Sequence, residues 1–258
     1  MKKNIFFLIF LMLFVVLLSG CKKSEIPDLE SIRANDKVVF GVKNDTKPFG
    51  FEENGELKGI DIDIAKYIAK SLLGDEKKAE FVIVDSSNRL LILSSGKADM
   101  VIATMSITPQ REAVIDFSAP YYIAGQTALV PVKSDIKTIS DLNNKKVIVV
   151  FGSTAEKNLR VVAPMAHVMG AKTYPAAFEM LKSGQADAIV SDDTILTSYA
   201  DNGSFRMLSK KFTREPYAIG FRKTEYSKSL QNRVNGILEE MRKTGKITEI
   251  KRKYSSNQ

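Results

Sequence analysis

The sequence has very little of two residue types that carry much enzyme chemistry, cysteine and histidine. Its 258 residues include one cysteine, Cys21, and one histidine, His167. His167 lies in an apolar stretch with no Asp or Ser arrangement beside it, which argues against a catalytic or ligating role. No Cys/His zinc cluster, phosphate-binding loop or dinucleotide fingerprint is present in the sequence. We therefore expect no metal, no cofactor and no enzymatic activity.

Long apolar runs are also scarce, and the longest follows a short basic start at residues 5–18. This run is shorter than the ~20 residues of a spanning helix, so residues 1–20 are predicted to be a secretory signal peptide. Its end, LSGC at residues 18–21, resembles a bacterial lipobox, which predicts cleavage before Cys21 and a lipid anchor on that cysteine. An ordinary signal or an uncleaved anchor is the alternative. A lipidated Cys21 leaves no thiol for a disulfide, a metal site or a nucleophile.

The charge balance is basic but not extreme. The formal net charge of the sequence is +8. Such an excess suits an anionic membrane surface or an anionic ligand without specifying either, and we expect no nucleic-acid partner. The polar residues 21–36 are predicted to be a tether. The remaining length allows one large domain or two small ones.

Short apolar strands alternate with amphipathic helices along most of the chain. Residues 37–42 and 80–84 are predicted strands, and between them a helix at 61–73 ends at Gly74. This β-α-β order predicts an α/β fold with a mostly parallel sheet flanked by helices. The pattern then repeats, because LLILSSGKADMVIA (90–103) and FEMLKSGQADAIVS (178–191) share one helix-Ser-Gly-x-Ala-Asp-strand order. Two similar lobes explain this echo better than one long sheet.

Two extended segments, 121–132 and 217–222, are predicted to connect the lobes as hinge strands. Lobe 1 then comprises residues 37–121 and 222–258, because the C-terminal helices at 227–242 and 247–254 return to it. Lobe 2 comprises residues 122–221, including the hinge strands. Ligands of open α/β sheets bind beyond the carboxyl ends of the strands, so we expect a ligand cleft between the lobes.

The polar loop TMSITPQR, residues 104–111, is a candidate anion site. The planar guanidinium of Arg111 beside the hydroxyls of Thr104 and Ser106 suits bidentate capture of a carboxylate. The alternative is an ordinary helix start, with Thr108 as cap and Arg111 as a surface charge. Asp61, at another helix start, is most simply a cap or a partner of the helix dipole.

The segment DSSNRLLIL, residues 85–93, places an arginine where a helix start favours an anion. Ser86, Ser87 or Asn88 is the expected N-cap, which puts Arg89 in the first helical turn. The electrostatic penalty is small, about 0.3–1 kcal/mol. Arg89 is therefore either a tolerated surface charge or a cation held there to meet an anion.

Five motifs occur in an order typical of one family. They are KGIDIDIA (58–65), SITPQR (106–111), IDFS followed by PY (115–118 and 120–121), GST (152–154) and DAIVSD (187–192). With them the chain resembles, over residues 37–254, the extracytoplasmic polar amino-acid-binding proteins of ABC importers. The resemblance implies a type II periplasmic-binding-protein fold and a monomer that closes around a free amino acid. It further implies delivery of that amino acid to an ABC permease, outside the cytoplasm.

The resemblance also implies roles for single residues. Arg111 matches the arginine that holds the ligand α-carboxylate, and the Thr154 N–H adds a donor at a helix N-terminus. Asp192 matches the acid that pairs with the α-ammonium, helped by the Ser106 hydroxyl and the Thr104 carbonyl. The family usually has glycine at Thr104, so only its backbone contact carries over. Asp192 has an alternative role as N-cap of the next helix.

Four further residues concern the ligand side chain. Phe49 and Phe51 match aromatics of the lobe 1 wall. Arg89 matches a position that in glutamate- and aspartate-binding members points at the side-chain carboxylate, and Lys43 stands where an acid often meets cationic ligands. These matches predict glutamate or aspartate as ligand. The alternatives are glutamine, cystine or another polar amino acid, and, in other classes, a cyclohexadienyl-dehydratase-like enzyme or a surface adhesin.

Overall fold

The structure, a computed structural model, describes residues 28–200 and 203–255. Its strands fall into two five-stranded sheets, one in each lobe, and two small accessory sheets. The strands are β1 (Val38–Val42), β2 (Asp45–Thr46), β3 (Gly50–Glu53), β4 (Glu56–Lys58), β5 (Ala79–Ile83), β6 (Met100–Val101), β7 (Ile115–Phe117), β8 (Tyr122–Ala124), β9 (Gln126–Pro131), β10 (Lys146–Val150), β11 (His167–Ala171), β12 (Ala188–Asp192), β13 (Phe205–Met207), β14 (Glu215–Tyr217) and β15 (Gly220–Arg222).

Helices cover both large sheets. They are α1 (Asp28–Asn35), α2 (Ile60–Leu73), α3 (Arg89–Ser94), α4 (Pro109–Glu112), α5 (Ala155–Val162), α6 (Tyr174–Lys182), α7 (Asp193–Ala200), α8 (Lys228–Lys243) and α9 (Lys246–Ser255). No helix of residues 28–200 and 203–255 combines the length and the apolar character that a bilayer span requires.

The first sheet has the order β5-β1-β6-β15-β7, and the second has the order β11-β10-β12-β9-β13. In each sheet the first three strands are parallel, and the last two join antiparallel. The predicted two-lobed α/β fold is confirmed. The antiparallel strands come from the segments that enter and leave the connection between the lobes.

The two lobes repeat one local arrangement after their helices α3 and α6. Gly96 and Gly184 both have a positive φ, of 72° and 74°, which suits glycine at the end of a helix. The next aspartate in each echo, Asp99 or Asp187, then accepts a backbone N–H of the neighbouring strand, 2.8 Å and 2.7 Å away. The sequence echo therefore corresponds to a shared helix-turn-strand unit.

The lobes are joined where β8 and β14 pair antiparallel. The chain leaves the first sheet after β7 and returns to it in β15, two residues before the predicted return at residue 222. Helices α8 and α9 then pack on the first lobe. Asn235 accepts the Ala119 N–H at 2.8 Å, and Lys253 pairs with Asp63 of α2 at 2.7 Å.

Helix α2 buries one apolar face under the first sheet. Its buried apolar residues are Ile60, Ile62, Ile64, Ala65, Ile68 and Ala69. The helix begins after Gly59, whose φ is 127°, and a Cβ there would overlap the Phe49 carbonyl. It ends at Gly74 in the left-handed conformation, as predicted. The tight approach at Gly59 brings the β2–β4 sheet against the start of α2.

Candidate functional site between the lobes

The candidate site lies at the carboxyl ends of the central strands. Thr104 follows β6 in the first lobe, and Asp192 is the last residue of β12 in the second. Both side chains are buried, and Tyr217 of β14 lies between the lobes with its hydroxyl on Asp192. The carboxyl ends of strands from both sheets therefore meet at the predicted cleft.

Arg111 satisfies both interpretations of its loop. Thr108 caps α4 by accepting the Arg111 N–H at 3.3 Å, with Pro109 in the first turn. The guanidinium is nevertheless buried. Its Nη1 donates to the Ser106 carbonyl at 2.7 Å and its Nη2 to the Gly152 carbonyl at 3.0 Å. The short helix thus fixes a buried cation against a carbonyl of the other lobe.

Arg89 is not a surface charge. It is 2% exposed, and its Nη1 donates to the carbonyls of Ala103 at 2.5 Å and Thr104 at 3.3 Å. Its Nη2 donates to the Gly152 carbonyl at 3.4 Å, while its Nε is buried without a hydrogen-bond partner. Burial, and next the charge of Arg111, lowers the pKa of Arg89. Most of this guanidinium therefore serves backbone carbonyls.

The Arg89 helix begins after Asn88, which is one of the three predicted N-cap residues. The Asn88 side chain makes no capping hydrogen bond with this helix. Instead Asp85 Oδ1 accepts the backbone N–H groups of Ser87 and Asn88, each at 2.8 Å. A carboxylate at this position also offsets the unfavourable placement of Arg89 near the helix start.

Lys43 is also fully enclosed. It is 2% exposed, its Nζ donates to Thr104 Oγ1 at 3.0 Å, and the same atom lies 4.9 Å from the ring centroid of Tyr174 in the second lobe. Burial, then the charge of Arg89, lowers the pKa of Lys43 to about 7. Lys43 is thus a first-lobe cation in contact with a second-lobe aromatic ring.

Thr104 holds an unusual backbone conformation in this cluster. Its φ is 47°, in the left-handed region that favours glycine. This geometry gives a physical reason for the family's usual glycine at Thr104. In this chain the Thr104 hydroxyl accepts a hydrogen bond from the Lys43 ammonium group, so the threonine side chain has a partner of its own.

The interpretation of Asp61 as a helix cap was wrong. Asp61 is completely buried, and helix α2 has no side-chain cap. Its carboxylate accepts the Tyr121 hydroxyl at 2.8 Å and the Thr104 N–H at 3.1 Å. Burial raises the pKa of Asp61 to about 6, although these hydrogen bonds and the charges of Lys43 and Arg89 oppose the rise. Asp61 therefore supports the Thr104 turn from behind.

Asp192 faces the cleft with one carboxylate oxygen free. Its Oδ2 accepts the Tyr217 hydroxyl, and its Oδ1 is buried without a hydrogen-bond partner. Burial raises the pKa of Asp192 to about 6, and the Tyr217 hydrogen bond opposes this. Asp192 makes no capping hydrogen bond. The neighbouring Asp193 instead accepts the Gly125 N–H at 3.1 Å.

Phe49 and Phe51, the two phenylalanines predicted to line the wall of the first lobe, lie in different surroundings. Phe49 is fully buried and lies edge-on to Tyr122 and Tyr217, with centroids 5.0 Å and 5.2 Å apart. Phe51 instead lies edge-on to Tyr254 of α9, and it lines a surface cavity of about 540 Å³. Phe49 therefore belongs to the wall behind the cleft, whereas Phe51 faces the C-terminal helix.

Thr154 lies directly before α5, at one mouth of the cleft. Its hydroxyl donates to Glu215 of β14 at 2.9 Å. A cavity of about 600 Å³ opens here, lined by Arg111, Gly152, Thr154 and Glu215 among others. Thr154 and Arg111 therefore line the same cavity, although they lie in different lobes.

Several site residues were missed from the sequence. Tyr217 donates to Asp192, and the ring of Tyr174 contacts Lys43. The Gly152 carbonyl accepts hydrogen bonds from both Arg89 and Arg111. One signal was available, since Tyr217 begins a segment predicted to connect the lobes. The predicted lipidation residue, Cys21, lies outside the described residues.

Comparison with known proteins agrees with this arrangement. The model of the bacterial extracellular solute-binding proteins, family 3, matches residues 38–257. The chain belongs to this family. Among the relatives of this family 3 solute-binding protein, the ABC transporter glutamine-binding protein GlnH of Bacillus subtilis is 43% identical, over 98% of this chain and 97% of its own.

Two further relatives differ in the ligand named for them. The glutamate-binding protein GluB of Corynebacterium efficiens is 31% identical over 88% of this chain and 81% of its own. An ancestral arginine-binding protein bound to glutamine is 40% identical, with a TM-score of 0.79, covering 85% of this chain and 97% of its own. The two-lobed solute-binding fold is common to this chain and its relatives, while the named ligands vary.

Proposed function

We propose that this solute-binding protein captures a free amino acid, with glutamine as the leading ligand, for import by an ABC permease. The observation that carries the proposal is the placement of Arg111 and Asp192. They approach the same cleft from different lobes, one with a buried guanidinium and one with a free carboxylate oxygen.

These two groups match the two charges of an amino-acid backbone. The Arg111 guanidinium would hold the α-carboxylate by charge-assisted hydrogen bonds, and Asp192 would accept the α-ammonium. The Thr154 N–H, the Ser106 hydroxyl and the Thr104 carbonyl would complete the contacts. Since Arg111 and Asp192 sit on different lobes, a zwitterion makes both contacts only when the lobes are closed.

Glutamine is preferred over an acidic ligand for two reasons. The GlnH relative is more similar to this chain than GluB is. Charge balance also favours a neutral side chain. The buried ionisable residues around the cleft are three basic side chains and three carboxylates, which leaves no excess of positive charge: Lys43, Arg89, Arg111, Asp61, Asp192 and Glu215. An additional buried charge without its own partner is costly, and glutamine brings none.

Glutamate is the second candidate. It is one of the two acidic ligands, glutamate and aspartate, that the sequence predicts. Lys43 and Arg89 are both cations, and Arg89 Nε is buried without a hydrogen-bond partner. However, the other nitrogens of Arg89 already donate to carbonyls, and burial brings Lys43 toward neutrality. Both groups can therefore bind a carboxamide oxygen as well as a carboxylate.

The wider role follows from the same proposal. We propose that the ligand is released unchanged, that the protein acts as a monomer outside the cytoplasm, and that a lipid on Cys21 anchors it. An enzyme on this scaffold would convert a cyclic amino acid, and an adhesin would bind no amino acid in the cleft. Mass spectrometry of the ligand after incubation and release separates the first alternative from simple binding.

A thermal-shift screen tests the proposed function. A ligand that binds only the folded state stabilises it by about 2.7 kcal/mol at one hundred times its Kd. The purified protein is heated with each of the twenty amino acids and cystine at millimolar concentration. We expect the largest rise in Tm with glutamine. No rise with any of these ligands contradicts amino-acid binding, and a larger rise with glutamate moves the ligand to the second candidate.

A further inference from the structure

Four polar side chains form a closed hydrogen-bonded ring beside the cleft, here called the hinge ring: Gln126, Thr154, Asn158 and Glu215. Gln126 Nε2 donates to Thr154 Oγ1 at 2.8 Å, and that hydroxyl donates to Glu215 Oε2 at 2.9 Å. Asn158 Nδ2 donates to Glu215 Oε1 and to Gln126 Oε1, each at 3.0 Å. Every member therefore has a partner on both sides.

The hinge ring joins three elements with different tasks. Glu215 lies on β14, in the connection between the lobes, and pairs across to Ala124 of β8. Gln126 starts β9 directly opposite Asp192 of β12. Thr154 is the N-cap residue of α5, and Asn158 lies one turn further along this helix. The ring thus ties the connecting strand β14 and the first residue of β9 to the start of α5, which faces the first lobe.

Glu215 is the residue on which the ring depends. It is 4% exposed, and both of its carboxylate oxygens accept hydrogen bonds within the ring. Two residues before Thr154, the Gly152 carbonyl receives hydrogen bonds from Arg89 and Arg111 of the other lobe. A carboxylate that fixes Thr154 therefore also fixes the turn that both arginines contact.

The charge of Glu215 reaches the ligand groups as well. Burial lowers the pKa of Arg111, and Glu215 is the largest of the charges that oppose this. The same carboxylate adds to the rise in the pKa of Asp192 that burial causes. Both effects indicate that Glu215 lies close to Arg111 and Asp192 without hydrogen bonding to either.

We propose that Glu215 is a positioning residue that couples the connection between the lobes to the 152–154 turn and so holds this turn in its closed arrangement. Glu215 itself contacts no ligand group in this assignment. It acts through Thr154 and Asn158. The consequence for binding rests on the proposed function, whereas the consequence for the turn does not.

The test compares Glu215→Gln with a double variant that returns a carboxylate to the ring at another position. The glutamine amide keeps the shape of the carboxylate but has no charge and only one acceptor oxygen in place of two, so the ring loses its charge-assisted hydrogen bonds. In the double variant Glu215→Gln with Asn158→Asp, the glutamine at 215 accepts from Thr154 and donates to the new aspartate. With its amide reversed, Gln126 also donates to this aspartate, which now carries the charge of the ring. Glu156→Gln is the matched control, since Glu156 is exposed on the same helix and pairs with Arg160, outside the ring.

The first readout is amide hydrogen exchange of residues 152–158 in the protein without ligand. We expect exchange about tenfold faster in Glu215→Gln, the loss expected for one charge-assisted hydrogen bond. The double variant is expected to return to within about twofold of the wild type, and the control to remain unchanged. Unchanged exchange in Glu215→Gln, or no recovery in the double variant, overturns the proposal. Should Glu215→Gln not fold, Thr154→Val breaks the same ring and carries the same expectation.

The second readout is glutamine binding, measured as association and dissociation rates. We expect Glu215→Gln to dissociate roughly tenfold faster with little change in association, because interface changes act mostly on the dissociation rate. Equal rates in variant and wild type overturn the coupling to binding. If the wild type binds no amino acid, the proposed function fails, and the exchange measurement still decides the role of the ring.

Discussion

At the scale of single residues, the protein buries cations that look like surface charges in the sequence. Arg89, Lys43 and Arg111 are each at most 8% exposed. Their partners are carbonyls, a hydroxyl and an aromatic ring rather than directly paired carboxylates. Such partners compensate a buried cation only in part, so each of these residues is sensitive to substitution.

The Arg89→Met substitution tests whether Arg89 holds carbonyls or reads the ligand side chain. We expect a loss of about 2–4 kcal/mol in the free energy of unfolding, because buried carbonyls of Ala103 and Thr104 lose their donor. Affinity for glutamine and for glutamate should fall by similar factors, as measured by calorimetry. Arg33→Met, at an exposed arginine of α1, is the control. A loss at least tenfold larger for glutamate would show that Arg89 reads a carboxylate.

The Lys43→Met substitution tests the pH dependence of stability. Burial lowers the pKa of Lys43 from 10.5 to about 7, so between these values the unfolded chain binds more protons than the folded one. Stability from this group therefore rises with pH over that window, by up to ~1.4 kcal/mol per pH unit, and is constant below it. Urea unfolding from pH 6 to 10 should show this rise in the wild type and not in Lys43→Met. Parallel curves for the two proteins would contradict the depressed pKa.

At the scale of elements, the sequence predicts most helices and the long strands. Helices α2, α8 and α9 begin and end within one residue of their predicted bounds, because their apolar positions follow the helical period. The short strands β2, β3 and β4 were not predicted. Strands of two to four residues contain too few positions for an alternating pattern.

The candidate site was predictable only in part. Motif resemblance located Arg111, Asp192, Thr154 and Thr104, which the structure brings to one cleft. The contacts of Asp61 were not predictable, because an aspartate at a helix start usually acts as a cap. Its actual partners come from distant segments, the Thr104 turn and Tyr121. Such non-local contacts leave no periodic signal in the sequence.

The turn at Gly152 provides a test of closure between two elements of different lobes. Its φ is 73°, and an added Cβ would lie 2.7 Å from Ser87 Cα in the turn before α3. Gly152→Ala should therefore weaken ligand binding by roughly ten- to hundredfold, the effect of overpacking a close contact. Gly184→Ala is the matched control, since Gly184 has a φ of 74° and no neighbour within 4 Å.

Both glycine variants should lose a similar amount of stability from the positive φ, about 1–2 kcal/mol. Only Gly152→Ala should lose affinity. The free energy of unfolding from urea titration and the Kd from calorimetry separate these effects. Equal affinity in the two variants would contradict a close approach of the lobes at Gly152.

At the scale of the whole molecule, two similar α/β units meet through paired strands. The three carboxylates and three basic side chains buried around the cleft come from both lobes, so the cleft carries no excess of positive charge. A zwitterion adds two opposite charges that match Arg111 and Asp192. We therefore expect a neutral polar amino acid as the preferred ligand, held by groups that meet only in the closed form.

The most direct measurement is calorimetric titration of the protein, freed of endogenous ligand by unfolding and refolding, with glutamine and with glutamate at pH 7.5. We expect a single site and a Kd for glutamine that is lower by roughly tenfold or more, since an extra buried charge costs more than about 1.4 kcal/mol. A lower Kd for glutamate would contradict the neutral cleft, and no heat with either ligand would contradict amino-acid capture itself.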